Sequence, residues 1–219
     1  GRLTSDCMPG AAGRSCIPSC PPLRVELRPA SQPNQARPAT AAARLADEVG
    51  FPLLIDLRPG LVILDSGKDL WDADAHGLDV DFSALAARVQ RVARGLGATA
   101  YPGMPRFVQL FLDAAHVASV RAFWAAALGY TFDRRTDTTD IVDPHRINPV
   151  VVFQRLDPSE VERRRQRNRI RVELAVPSDQ AMARRDAMVA AGGRLVDEAT
   201  DRWRLADPEG NELDLVSGA

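Results

Sequence analysis

RFVQLFLDAAHVASVRAFWAAALGY, residues 106–130, is the stretch on which the fold turns. RFVQLFLD (106–113) reads as a strand. VASVRAFWAAALG (117–129) spaces its apolar residues as a helix and stops on glycine, where a left-handed cap costs least. Three strand-like runs follow: YTFDR (130–134), TDIVD (139–143) and PVVVFQR (149–155). Then the order begins again. RIRVELAV (169–176) is a strand, SDQAMARRDAMVAAGG (178–193) a capped helix, and GRLVDE, RWRLAD and NELDLV are three more strands. Strand, helix and three strands are spelled twice, which predicts two βαβββ modules closing around a shared cleft, a natural place for a ligand.

Upstream, ATAYPGMP carries one glycine and two prolines and predicts a linker over 99–105. Before it, AAARLADEVG (41–50) reads as a helix, FPLLIDLRPG and LVILD (51–65) as two strands about a Pro-Gly turn, and Leu78 to Gly97 as a helix with Phe82, Leu85, Val89, Val92 and Leu96 at threes and fours. These make a small α+β unit over 41–98. Residues 1–40 hold seven of the 16 prolines and no aromatic residue, so they predict a poorly structured segment apart from the alternating LRVELR at 23–28. The fold class expected is α+β: a small N-terminal unit, then a two-module domain over 106–219.

Composition bounds the partners. The 219 residues are 45% hydrophobic and 26% charged, enough apolar material for an ordinary core. A net charge of -1 provides no field for nucleic acid or an anionic membrane surface, and no run approaches the roughly 20 apolar residues of a membrane-spanning helix. The start GRLTSDCMPG lacks the order of a signal peptide, so the cytoplasm is the expected location. Cys7, Cys16 and Cys20 match neither a disulfide framework nor a paired zinc motif. Lys68 is the one lysine among 28 basic residues, the bias of a GC-rich, bacterial genome.

Strand alternation sorts the side chains of the repeat. In RIRVELAV, Ile170, Val172, Leu174 and Val176 face the core, while Arg169, Arg171 and Glu173 point the other way. In NELDLV, Leu213 and Leu215 face the core and Glu212 and Asp214 are opposite. Gln109 shares its face with Phe107, Phe111 and Asp113. Pattern alone reads these polar groups as a solvated sheet face.

Gln109, FLDAAHVASVRAFWAAALGY, FQR, NRIRVELAV and ADPEGNELDLV together resemble the glyoxalase-like branch of the vicinal oxygen chelate superfamily, over residues 106–217. The resemblance implies paired βαβββ modules and, in many members, a divalent metal held by a His or Gln, a Glu, a His and a Glu from four strands. Carried over by position, Gln109 falls on the first ligand site, Gln154 near the second and Glu212 on the last. Arg171 stands at the third, and a guanidinium has no lone pair for a metal. It suits an ion pair with Glu212 or a clamp on an anionic ligand. The expected cofactor set is therefore none, with a divalent metal disfavoured.

ARLADEVGFPLLIDLRPGLVILD and GLDVDFSALAARV are similar to the later part of a pterin-4a-carbinolamine dehydratase domain. That family uses a His-His-Pro run and a further His to move protons. Gly50, Phe51 and Pro52 stand where the run would be, and His76 lies beside the place of the further His, so dehydratase chemistry is not expected.

Other features have ordinary readings. His116 and His145 read as surface and turn residues, Phe123 and Trp124 as core, and the arginine run Arg163 to Arg171 as a solvated link between modules. His76 among Asp72, Asp74 and Asp79 reads as a hydrated loop. Three functions are consistent with the whole. The first is a metal-independent cleft that binds or acts on a small polar, anionic molecule through Gln109, Gln154, Arg171, Glu173 and Asp214, with Glu212 as counter-ion or general base. The second is a metal-dependent lyase, isomerase or dioxygenase. The third is a non-catalytic sequestering or regulatory protein. Small-molecule ligands and a second copy of the chain are the expected partners.

Overall fold

The computed structural model describes residues 24–28, 36–65, 82–100, 108–133, 138–157, 159, 161–162 and 171–218. The three cysteines, the His76 loop and Arg163 to Arg169 of the arginine run lie outside them. The chain divides into two units, 1–107 and 108–219. Among the described residues no helix is long and apolar enough to cross a membrane.

In the first unit the elements are β1 (Arg24–Arg28), α1 (Ala36–Glu48), β2 (Leu54–Arg58), β3 (Leu61–Asp65), α2 (Phe82–Gly95) and β4 (Thr99–Ala100). The strands form an antiparallel sheet in the order β2-β3-β1-β4. Pairing Arg58 with Leu61 leaves Pro59 and Gly60 as the turn, and Gly60 takes the positive φ, 72°, that the second turn position needs. Ala39, Ala42 and Ala46 of α1 meet Leu85, Val89 and Ala93 of α2 and Val62 and Leu64 of β3 in one buried cluster.

Residues 24–28 form the strand that the alternation of LRVELR predicts, and it is an inner one. The start of α1 differs from the expected 41: it lies at Ala36, because Pro38 sits in the first turn, where its missing N–H has no partner to lose. Thr99 and Ala100, assigned to the linker, pair with Arg28 and Leu27.

The second unit runs β5 (Gln109–Ala114), α3 (Val117–Leu128), β6 (Thr131–Phe132), β7 (Ile141–Val142) and β8 (Val150–Arg155), then β9 (Val172–Pro177), α4 (Ser178–Ala190), β10 (Arg194–Ala199), β11 (Arg202–Ala206) and β12 (Glu212–Gly218). Two four-stranded sheets result, in the orders β5-β8-β7-β6 and β10-β11-β12-β9. Each half places its first strand beside its fourth, in parallel. Helix α3 ends at Gly129 with φ 71° and ψ 29°, and α3 and α4 share one core with both sheets. That core is centred on Phe123, Trp124, Ile141, Met188, Leu205, Leu213 and Leu215. The Phe123 and Trp124 rings meet edge to face at 5.7 Å.

The repeat extends into its turns. Between β7 and β8, Asp143 accepts hydrogen bonds from the backbone N–H groups of His145, Ile147 and Asn148 and from the Asn148 amide. Between β11 and β12, Asp207 accepts from Glu209 N, Asn211 N and the Asn211 amide in the same way. Asp207 has one partner more, the Trp124 indole N–H at 2.9 Å. Glu209 reaches the start of α3, accepting from Ala115 N and His116 N at 3.0 and 2.6 Å. The second module's turn thereby pins the first module's helix.

Candidate functional site

The outer face of the second sheet is built from three strands in register. Asp214 of β12 lies between Glu173 of β9 and Arg204 of β11, and Arg202 points to the same side one pleat along. Asp214 is fully buried, and three guanidiniums close over it. Arg204 donates from Nε to Oδ1 at 2.9 Å, Arg202 donates from a terminal nitrogen to Oδ2, and Arg171 Nε stands 2.9 Å from that same Oδ2. Burial alone would push the Asp214 carboxyl up, but the hydrogen bonds from Arg204 and Arg202 and the charges of Arg204 and Arg171 hold it below the usual carboxylate range. The same hydrogen bond raises Arg204. Glu212 is half-buried, its Oε2 3.9 Å from Arg204 Nε.

This corrects the expected pairing. The ladder puts Arg171 level with Glu212, since Val172 pairs with Leu213. Its guanidinium nevertheless reaches the next pleat, to Asp214, where the carboxylate is shielded from water and an ion pair is least screened. Asp214 is likewise not on a solvated face, as alternation alone suggested. A canopy of arginines makes it as dry as the leucines beside it.

The second feature is a crevice of about 510 Å³ between β5 and β9, the end strands of the two sheets. Phe111, Leu112, Trp124, Leu128, Tyr130, Val151, Val172 and Leu174 line it, with Gln109, Asn148 and Glu173 as its polar groups. Tyr130 donates its hydroxyl to Pro149 O at 3.1 Å, and burial with the nearby Asp143 charge pushes the phenol up to about 12.

The six sequence candidates thus fall in three places. Gln109 and Glu173 line the crevice, and Arg171, Asp214 and Glu212 belong to the arginine cluster. Gln154 is exposed near the end of β8, level with Asp113, and lines neither. Arg202 and Arg204 were missed, although Arg-Trp-Arg on a strand antiparallel to one bearing a central Asp is the signal that finds them. Trp124 is core, as expected, and also a wall of the crevice. Among the described residues no three His, Cys, Asp or Glu side chains gather where a metal ion could sit.

Residues 109–216 match the family of the glyoxalase-like domain. No curated protein is significantly similar in sequence. Similar solved structures include hypothetical protein SA1046 from S. aureus, at 16% identity and a TM-score of 0.43, covering 53% of this chain and 96% of that one. A glyoxalase-related enzyme from Fulvimarina pelagi follows at 16% identity and a TM-score of 0.40, covering 52% and 89%. The fosfomycin resistance protein FosX from Mesorhizobium loti has 5% identity and a TM-score of 0.41, covering 53% and 94%. Over residues 109–216, nearly all of the second unit, the chain is thus similar to the glyoxalase-like domain family.

Proposed function

We propose that the glyoxalase-like domain binds a small anionic molecule at the arginine cluster, without a metal. The observation that carries this reading is Asp214, fully buried under Arg171, Arg202 and Arg204. Arg204 also has Glu212 and Asp197 beside it, so the charge open to a second anion is that of Arg171 and Arg202, which share Asp214 between them. Arg171 is 54% exposed and meets Asp214 through Nε, so its terminal nitrogens remain for an acceptor in fork geometry. The donor set does not fit a divalent cation. Asp214 is committed to guanidiniums, Arg171 cannot coordinate, and Gln109 and Gln154 offer only neutral amides. Any cation would also meet the repulsion of three arginines.

Glu212, half-buried beside Arg204, is the group we assign to acid–base work on a bound substrate. For the first unit, the dehydratase-like reading carries no dehydratase activity with it, since Phe51, where a histidine would act, is buried in the unit's core. The test of the anion site is calorimetric titration with inorganic phosphate. Saturable binding by the native protein, weakened roughly tenfold in Arg171→Ala, supports the reading. Binding that is absent, or indifferent to Arg171, overturns it.

A further inference from the structure

We propose that the crevice between β5 and β9 is a second site, for organic ammonium ions with an aryl or alkyl body, and that Glu173 is their counter-ion. Its volume of about 510 Å³ lies within the range of about 300–1,000 Å³ usual for small-ligand pockets. Its walls are aromatic and aliphatic: Phe111, Trp124, Leu128, Tyr130, Val151 and Leu174. Phe111 is 55% and Leu110 42% exposed at this edge, which leaves apolar surface that an occupant would cover.

The charge argument comes from two carboxylates facing each other across one ladder. Asp214 and Glu173 are register partners on β12 and β9. Asp214 takes the guanidiniums of Arg171, Arg202 and Arg204, whereas the Glu173 carboxylate has no ion-pair or hydrogen-bond partner among the described residues. Among the described residues no arginine lines the crevice. The single charged group among its described residues is therefore negative, and the ring faces beside it attract cations as well. The Gln109 and Asn148 amides supply neutral hydrogen bonding at the same opening.

The anion site and this one use different side chains, so each can fail alone. The experiment titrates the protein with benzyltrimethylammonium, benzyl alcohol and phenylacetate, following the Trp124 indole N–H by NMR. The ammonium ion binds roughly tenfold tighter than the alcohol, and phenylacetate weakest. Glu173→Gln removes the advantage of the cation and leaves the alcohol unchanged, while Phe111→Ala weakens both. Phosphate binding in Glu173→Gln stays at or above the native level, which separates this site from the arginine cluster. Phenylacetate binding as tightly as the ammonium ion, a cation preference that survives Glu173→Gln, or no saturable shift of Trp124 overturns the proposal.

Discussion

Strands β8 and β12 hold the same place in their modules, each parallel to the first strand of its sheet, and they are buried by opposite means. In β8, Val150, Val151, Val152 and Phe153 are all buried, so both faces are apolar. In β12, Leu213 and Leu215 are buried on the inner face while the outer face is an aspartate under three arginines. One topology thus accommodates a hydrophobic and an ionic solution. The apolar one leaves no charge on the sheet, whereas the ionic one leaves partly exposed guanidiniums at the surface. A buried ion cluster contributes little net stability once desolvation is counted, yet losing one member is costly.

The largest expected effect follows from that asymmetry. Asp214→Ala leaves three guanidiniums facing one another, and we expect a loss of about 3 kcal/mol, the low end for breaking a buried pair because the arginines are partly exposed. Denaturant unfolding measures it. A loss as small as that of a surface pair would mean that the canopy opens to water without cost.

The two turn aspartates sharpen the comparison. Asp143 and Asp207 hold equivalent turns, but Asp207 also accepts the Trp124 indole N–H. Asp207→Ala should cost about 2–3 kcal/mol and Asp143→Ala about 1 kcal/mol less, the worth of one buried hydrogen bond. Equal losses would show that the indole bond adds nothing to the second module's hold on the first.

Acid should act on both modules. At Asp143, burial pushes up but hydrogen bonds from His145, Asn148 and Ile147 win, and Asp214 is lowered by its arginines. A lowered native carboxyl contributes stability that is present above its unfolded value, ordinarily 3.8, and lost as pH falls through the native value. Melting temperature should drop as pH falls below about 4, and Asp143→Asn should flatten part of that drop. A native profile as flat as the variant's would contradict the shift.

The smallest effect belongs to the first unit. Its Arg88–Glu48 pair, 2.6 Å apart, has both side chains more than two-fifths exposed, so Arg88→Ala should cost no more than about 0.5 kcal/mol. A loss approaching that of Asp214→Ala would erase the distinction between solvated and buried ion pairs drawn here.

These contrasts mark what a sequence displays. The repeat was legible because helix and strand periods are local, and alternation from Arg171 to Val176 and along NELDLV sorted inner from outer side chains. The burial of Asp214 was not, because it depends on Arg202 and Arg204 from a strand whose register sequence does not state. Alternation says which way a side chain points, not whether something covers it. The paired turns were within reach: Asp-Pro followed by Asn occurs at Asp143 and again at Asp207. The start of α1 was misplaced because the prolines of residues 1–40 counted toward a poorly structured segment, whereas Pro38 sits in the first turn of a helix.

The reading proposed for this domain puts an anion, and no metal, at the arginine cluster. Its most direct test is metal analysis of the purified protein, with melting curves in the presence of Zn, Mn, Fe and Ni ions, for the native chain and for Arg171→His. We expect no stoichiometric metal and no rise in melting temperature for the native protein, because only an ion that binds the folded state stabilises it, and at least weak binding once an imidazole replaces Arg171. Stoichiometric metal in the native protein, lost on replacing Gln109, Glu212 or Asp214, would contradict it.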